Sequence, residues 1–312
     1  MNEYIKRLSN LDNNFVDPNL PTISISAING YLAPPFDKEG VAKKCEEKGK
    51  KVDCQWTGMT AQDIMDLWDK KAATSMDYGK RLDSYVEAKL EGNEDDMDLW
   101  LLDNDIEGDE RLSNHVTAFD EFYERIMKSG DVAYVGREIE VYNRIQTSDG
   151  QNFYVKGRLD ALFYNKRTDT WIIIDWKSNE CISTRGDRWT EHLLGPAKSL
   201  LNLDWNTYTF QVYNYKEALL KYYLPEGTEP SHVQCMIVNL PKAPYENTDA
   251  ALGKGEKYKA YMPAFPYNQE FINKVYEFGF NKDLIMKKKQ KVEEKKEEKK
   301  VEEVKEQEFN LF

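Results

Sequence analysis

The sequence predicts an α/β protein in which a mixed β-sheet is flanked by helices. Apolar residues recur at helical spacing up to about Gly130 and alternate with period two from Val132 to Ile174. From Lys287 to Glu306 they are few, and the sequence is mostly lysine and glutamate. Helix, antiparallel strands, helix and strand in this order are typical of helices packed on a mixed sheet. We therefore predict a helical region at 1–130, an α/β core at 131–284, a charged linker at 285–306 and a short terminal peptide at 307–312.

Three helices are predicted in the first region. Thr60 has the position of a capping residue before an amphipathic stretch, a second helix is expected at Met76–Leu90, and a third at about Leu112–Lys128 ends at Ser129 and Gly130. The acidic stretch Gly92–Asp109 is expected to be a loop or a solvated helix.

The core is predicted from strand-like and helix-like segments in alternation. Strands are expected near residues 135–144, 152–164, 171–175, 233–240 and 257–262, and helices near 209–223 and 268–278. The Lys/Glu run after this core cannot bury an apolar surface, so we expect a linker, which Glu–Lys pairs would make helical.

The composition excludes several classes of protein. A net charge of −12 over 312 residues argues against a histone-like DNA coat, because such affinity comes from Lys and Arg neutralising phosphates. The negative charge is compatible with an enzyme that binds phosphate through divalent cations held in its site. The four cysteines contain no CxxC pair, which argues against a zinc ribbon or a disulfide framework. Short apolar runs and a polar start predict a soluble, intracellular, cytoplasmic protein.

The candidate chemistry lies in a predicted β-hairpin. A turn centred between Arg167 and Thr168 places Asp160 directly opposite Asp175 on the neighbouring strand. Period-two alternation puts Lys177 on the same face as Asp175, while Ile172, Ile174 and Trp176 point to the other face. The sequence therefore predicts two facing carboxylates with a lysine beside them.

Facing carboxylates repel each other and need a compensating partner. Carboxylate oxygens suit Mg²⁺ or Mn²⁺, which keep several waters and accept phosphate oxygens in their remaining positions. Such a cation can polarise a scissile phosphate and activate a water, and Lys177 can stabilise the developing negative charge. The expected cofactor is Mg²⁺ or Mn²⁺.

Three ordered motifs resemble the RecB-like branch of the PD-(D/E)XK nucleases. They are Gly157-Arg158-Leu159-Asp160, then Ile173-Ile174-Asp175-Trp176-Lys177, then Gln211-Val212-Tyr213-Asn214-Tyr215, within a match of roughly Ile23 to Met262. The branch includes nuclease domains of bacterial recombination helicases, CRISPR adaptation nucleases and bacteriophage enzymes. The resemblance implies a restriction-endonuclease-like α/β core and nuclease activity.

The resemblance also assigns roles to residues. It makes Asp160 and Asp175 metal ligands, Lys177 the catalytic lysine, and Gln211 with Tyr215 the QxxxY pair beside the site. Two residues match the acidic position before the hairpin, Glu138 and Glu140. We favour Glu138 for this position.

The chain departs from the family pattern in its first region. Tyr78-Gly79-Lys80-Arg81-Leu82-Asp83 matches the Gly-x-x-x-His frame but has Asp83 where the family has histidine. Asp83 is therefore a candidate metal ligand and, alternatively, a helix surface charge. The cysteine spacing does not supply the iron–sulfur cluster of some members, and no P-loop is present.

Two further segments suggest contacts with partners. Arg185, Arg188, Trp189 and Trp205 lie between the hairpin and the QxxxY helix, and this composition is typical both of a loop that tracks a nucleic-acid strand and of an ordered loop packed on the core. The last residues, with Phe309, Leu311 and Phe312, resemble the short clamp-binding peptides of replication proteins. We expect a sliding clamp as a partner.

Together these features predict a metal-dependent DNA nuclease acting on single-stranded or ended DNA in replication, recombination or repair. Two alternatives stay open at this point: a catalytically weak DNA-binding scaffold of the same fold, and an RNA nuclease. Exonuclease and endonuclease action share the same metal chemistry.

Overall fold

A mixed, open sheet of six strands forms the centre of the fold in the computed structural model. The model describes residues 3–92, 94–188, 190–243, 257–263 and 269–309, with side chains described throughout except at 94 and 291–309. The strands are β1 (Thr22–Ser24), β2 (Val132–Gln146), β3 (Asn152–Asn165), β4 (Thr170–Lys177), β5 (Val233–Asn239) and β6 (Lys259–Tyr261). The α/β class predicted from the sequence is confirmed.

Strand β3 organises the sheet. It pairs along its length with β2 in antiparallel fashion, so β1 and β4 must share its other edge. Strand β1 pairs in parallel with residues 154–156, whereas β4 pairs antiparallel with residues 161–165. The short segment Gly157–Asp160 is left between these two partners. The sheet continues from β4 to β5 in parallel and from β5 to β6 antiparallel.

Helices cover both faces of the sheet. They are α1 (Ile25–Leu32), α2 (Lys38–Lys51), α3 (Ala61–Glu91), α4 (Glu94–Asp103), α5 (Glu110–Met127), α6 (Asp204–Ala218), which continues as a π-turn at Leu219–Tyr223, and α7 (Gln269–Phe309), with 3₁₀ turns at Ile5–Arg7, Gly195–Ala197 and Pro230–His232. Helices α1, α6 and α7 contribute to one apolar cluster, and α3 and α5 to the other. Among the described residues, no helix has both the length and the apolar composition of a membrane span.

The helical region differs from the prediction in its divisions. Thr60 caps α3 as expected, with Asp63 completing a capping box. The two helices predicted after Thr60 are one continuous helix of 31 residues. Its solvent-facing middle holds few apolar residues, which is why the spacing suggested a break. Helices α1 and α2 were not predicted, because α1 is short and α2 is mostly lysine and glutamate.

The closing helix is longer than predicted. Ile272, Val275, Tyr276 and Phe280 recur on one buried face of α7 and anchor its first turns. The helix was expected to end near Phe278 but continues through the Lys/Glu-rich run to Phe309, over 41 residues. Glutamate and lysine recur three and four residues apart in this sequence, a spacing that favours a helix.

Candidate active site

The β3–β4 hairpin has the predicted register. Its ladder runs from Asn165 opposite Thr170 to Ala161 opposite Ile174, so Asp160 and Asp175 face each other one step further on. At that step, the Trp176 backbone N–H donates a 2.7 Å hydrogen bond to Asp160 Oδ2. The Asp160 carboxylate therefore accepts the hydrogen bond of the backbone N–H that directly follows Asp175.

Strand β4 divides its side chains between the two sides of the sheet. Ile172 and Ile174 belong to the α3/α5 cluster, and Trp176 packs against it, with its ring 5.4 Å from Phe119 and from Phe122 on α5. Trp171 and Ile173 belong to the opposite cluster. By this alternation Asp175 and Lys177 lie on the side of α6, as the sequence predicted.

Glu138 extends the pair of carboxylates to a row of three. It lies between the pairs Arg137–Ala161 and Ile139–Leu159, which places it opposite Asp160 on β2. Its φ of +53° is in the left-handed region that non-glycine residues rarely occupy. The alternation of side chains between the two faces of the sheet is also interrupted here on β3. Leu159 and Ala161 are two residues apart and would share a face in a regular strand, but they pack in different apolar clusters. Local irregularities of this kind re-aim side chains and concentrate at functional sites.

The second acidic candidate on β2 has a different environment. Glu140 forms an ion pair with Lys156 and accepts a 2.5 Å hydrogen bond from the Tyr142 hydroxyl. It does not line the cavities around Asp160, whereas Glu138 lines both of those described below. Of the two, the structure brings Glu138 to the aspartate pair.

Helix α6 supplies the partners of Asp175. The Gln211 side chain donates to Asp175 Oδ1 at 3.0 Å and to the Tyr215 hydroxyl at 2.7 Å. Gln211 and Tyr215 stand four residues apart and so share one helix face. Asp175 is fully buried, and Lys177 Nζ lies 2.6 Å from its Oδ2. Apart from this ion pair, Oδ2 has no hydrogen-bond partner among the described residues.

Gly157 lets α6 approach the sheet. A Cβ atom on Gly157 would lie 2.3 Å from Cε1 of Tyr215, a distance that a real side chain does not reach. The ring of Tyr215 is 2% exposed and packs against this backbone. The glycine of the Gly-Arg-Leu-Asp motif thus provides room for the tyrosine of the helix motif.

A second set of partners holds Lys177, and the sequence did not identify it. The Lys177 ammonium lies 4.5 Å from the ring centroid of Tyr208, which precedes Gln211 by three residues on α6. The Tyr208 hydroxyl accepts a 3.0 Å hydrogen bond from the Asn179 amide. Asn239, buried at the end of β5, donates to the carbonyls of Lys177 and Asn179. These contacts fix the chain where it leaves β4.

Burial and like charge shape the electrostatics of the row. Burial, with the Asp175 charge adding to it, raises the pKa of Asp160 despite the nearby Lys177. Burial also raises the pKa of Asp175, and Lys177 opposes this shift. Burial lowers the pKa of the Lys177 ammonium, but the charges of Asp175 and Asp160 outweigh it and leave that pKa raised. The lysine stays protonated, while the carboxylates need a proton or a cation.

Glu138 shares this environment. Burial raises the pKa of its carboxyl, the Arg158 charge opposes the shift, and Asp83 adds to it. Arg158 Nε lies 2.6 Å from Glu138 Oε2. The pKa of the Tyr215 hydroxyl is raised as well, first by burial and then by the Asp175 charge.

Two cavities flank the row of carboxylates and share Glu138, Arg158 and Asp160. The α3-side cavity has a volume of about 310 Å³ and also includes Asp83. The α1-side cavity has a volume of about 440 Å³ and also includes Lys156, Gln211 and Tyr215. Glu138 and Asp160 are therefore reachable from these two cavities, which we call the two lobes of a groove, whereas Asp175 lines neither lobe and is buried beside Asp160.

Asp83 lies in the α3-side cavity but is already paired. Arg137 binds Asp83 at 2.9 Å and Glu87 at 2.7 Å, and the Asp83 side chain is 53% exposed. This position is compatible with both roles that the sequence predicts for Asp83, a metal ligand and a helix surface charge. Its role as a ligand stays a prediction.

The donor set fits a magnesium-type cation better than a metal held by protein alone. Within the described part of the chain, no three His, Cys, Asp or Glu side chains form a group that could hold a metal ion. Mg²⁺ is commonly bound by one or two carboxylates, with waters and substrate phosphate completing its shell. Asp160 and Asp175, with the otherwise unpaired Oδ2 of Asp175, match that requirement.

Among the remaining predicted residues that the structure describes, Trp205 and His115 contact groups outside the row. Trp205 lies at the start of α6 rather than in a loop, and its partly buried side chain packs on the core with its ring 5.8 Å from that of Tyr261. His115 is buried, with Nδ1 2.7 Å from the carbonyl oxygen of Leu240. Trp189 and the side chains of the terminal peptide, Phe309, Leu311 and Phe312, lie outside the described part of the structure.

Comparison with known protein families and curated proteins found no match.

Proposed function

We propose that this chain is a Mg²⁺- or Mn²⁺-dependent DNA nuclease with a PD-(D/E)XK core of the RecB-like type. The observation that carries the proposal is the row of Glu138, Asp160 and Asp175 on three adjacent strands, with Lys177 beside it. Three carboxylates at one level of a sheet, all with raised pKa values, make an unfavourable arrangement in a structural core. A site that binds a divalent cation and phosphate accounts for it.

Asp160 and Asp175 would hold the cation, with Glu138 in the same groove and Asp83 as a further candidate. When bound, the cation supplies Lewis-acid activation of the scissile phosphate and of the attacking water. Among the described residues, Asp160 accepts a hydrogen bond from the Trp176 N–H, and Asp175 accepts one from the Gln211 amide beside its ion pair with Lys177. Both retain free acceptor capacity.

Lys177 supplies a fixed positive charge. Its ammonium is held between Asp175 and the ring of Tyr208, so it stays protonated and close to the groove. In this position it stabilises negative charge that develops on a phosphate oxygen. Gln211 orients Asp175, and Tyr215 fixes the amide of Gln211.

Cleavage assays test the proposal. Purified protein is incubated with labelled single-stranded, duplex and flapped DNA and with matching RNA, in Mg²⁺, Mn²⁺ or chelator. We expect metal-dependent DNA cleavage that Asp175→Ala and Lys177→Ala abolish, while Arg167→Gln, at the far end of the hairpin, retains it. DNA binding without cleavage would support a scaffold instead, and preferential RNA cleavage would support an RNA nuclease. Normal turnover in either alanine variant contradicts the proposed roles.

The tail and the cellular setting remain part of the proposal. We propose that the terminal peptide with Phe309, Leu311 and Phe312 binds a sliding clamp and so brings the nuclease to DNA that is being replicated. An intracellular, cytoplasmic location is consistent with this role.

A further inference from the structure

The two lobes of the groove differ in charge. Three carboxylates and one cation, Arg158, line the α3-side lobe, whereas the α1-side lobe has two carboxylates and two cations, because Lys156 replaces Asp83 there. The hydroxyls of Ser24 and Ser26 also line the α1-side lobe. This lobe therefore offers both positive charge and neutral hydrogen-bond groups, and the other lobe offers mainly negative charge.

We propose that the α1-side lobe is a phosphate-binding subsite in which Lys156 and Arg158 hold the phosphodiester next to the scissile bond. The inference rests on the proposed nuclease function and assigns the direction in which the strand leaves the carboxylate row. A strand entering the α3-side lobe would meet Asp83 in addition to the two carboxylates that both lobes share. A strand in the α1-side lobe meets the two cations.

Both cations can be redirected to a ligand. Lys156 pairs with Glu140 and Arg158 with Glu138, and their side chains are 40% and 65% exposed. Exposed ion pairs contribute little to stability, so exchanging a carboxylate for a phosphate requires little free energy. The guanidinium of Arg158 can also bind a phosphate with two parallel hydrogen bonds, which gives it geometric specificity.

The gap in the sheet edge makes the lobe accessible. Strands β1 and β4 leave Gly157–Asp160 between them on β3, and the cavity of about 440 Å³ lies against this segment. Its lining includes Glu138 and Asp160, so a phosphate bound there lies next to the carboxylate row. None of the groups that line this lobe belongs to the metal-bearing pair except Asp160.

Binding measured without cleavage tests the subsite. A fluorescent dT oligonucleotide is titrated with the full chain in chelator, and its anisotropy is followed over a series of salt concentrations. Lys156→Gln and Arg158→Gln are each expected to weaken binding about five- to tenfold, the range of one lost charged contact. Each should also reduce the slope of log affinity against log salt by about 0.7, the value for one phosphate on a single strand.

Glu140→Gln separates phosphate binding from a structural role of the ion pair. It breaks the same pair as Lys156→Gln but frees the lysine, so we expect unchanged or tighter binding. Arg167→Gln is the matched control, because Arg167 is also exposed and paired, with Asp131 at 2.9 Å, far from the groove. Equal weakening in Glu140→Gln and Lys156→Gln, or no weakening in Lys156→Gln and Arg158→Gln, overturns the subsite.

The same oligonucleotide incubated with Mg²⁺ distinguishes this inference from the proposed function. Cleavage by the wild type with unaltered binding in the Lys156 and Arg158 variants refutes the subsite alone. The expected binding pattern without any cleavage refutes the nuclease activity and leaves the phosphate subsite supported.

Discussion

Replacing Asp160 with asparagine is expected to stabilise the protein when divalent cations are removed. The substitution keeps the shape of the side chain, and an amide oxygen can still accept the hydrogen bond from the Trp176 N–H. It removes the ionisable carboxyl group that faces Asp175 across the strand pair. A residue that serves only the fold would instead lose stability on this change.

The size of the effect follows from the facing charges. Residues opposite each other on antiparallel strands have Cβ atoms about 5 Å apart, and two ionised carboxylates at that distance would repel by about 3 kcal/mol at an effective dielectric constant of about 20. Near neutral pH the folded site avoids this repulsion by keeping a proton on Asp160, and holding that proton costs a similar free energy. Lys177, 2.6 Å from Asp175, offsets part of this repulsion. Partial burial of the new amide group costs about 1 kcal/mol. We expect a net gain of about 1–2 kcal/mol, or a rise in Tm of about 2–6 °C.

The pH dependence gives the sign a second check. Burial and Asp175 raise the pKa of Asp160 to about 8, well above that of the unfolded chain. Below the unfolded value of about 4 both states hold the proton and the group favours neither. As the pH rises from about 4 to about 8, Asp160 loses its proton in the unfolded chain but keeps it in the folded chain. The wild type therefore loses stability over this interval. Asparagine does not titrate, and its advantage should grow over this interval.

Thermal melts in chelator and in saturating Mg²⁺ measure both effects. A ligand that binds only the folded state at a hundred times its Kd stabilises it by about 2.7 kcal/mol. The wild type should gain on this order from Mg²⁺, and Asp160→Asn much less. A variant that melts below the wild type in chelator near neutral pH, or that gains as much from Mg²⁺, refutes the argument for a cation between the aspartates.

Four other changes test the surroundings of the row. Tyr208→Leu should lower kcat about tenfold by releasing Lys177, whereas Tyr208→Phe keeps the ring and should retain most activity; steady-state cleavage kinetics decide this. Gly157→Ala should lower stability by about 1–3 kcal/mol, because its Cβ displaces the ring of Tyr215; denaturant unfolding measures it. Asp83→Ala should raise the Mg²⁺ concentration needed for cleavage. If the Mg²⁺ dependence of cleavage is unchanged, Asp83 is not a metal ligand and is only a surface charge. Deleting 307–312 should abolish clamp binding in a calorimetric titration and leave oligonucleotide cleavage unchanged.

Strands β2 to β6 were predictable from local sequence patterns, whereas the three-residue strand β1 was not predicted. Alternating apolar residues and the polar turn at 166–169 set the register of the β3–β4 hairpin, and with it the facing positions of Asp160 and Asp175. Helix divisions were less predictable. The exposed middle of α3 has no apolar face to detect, and the Lys- and Glu-rich sequence of the second half of α7 has no apolar periodicity that would indicate a helix.

The contacts that hold Lys177 show why part of the site was missed. Asn239 reaches the end of β4 only because β5 pairs with β4 in parallel, with Lys177 opposite Asn239, across 62 residues of intervening chain. Nothing local marks this asparagine, since a strand that ends in Asn resembles an ordinary turn signal. Tyr208 is similar, because its spacing from Gln211 fits any buried helix face. The pairing of β5 with β4 brings Asn239 to the end of β4, and the packing of α6 on the sheet brings Tyr208 to Lys177. A sequence motif therefore locates the groups proposed to react but not the groups that position them.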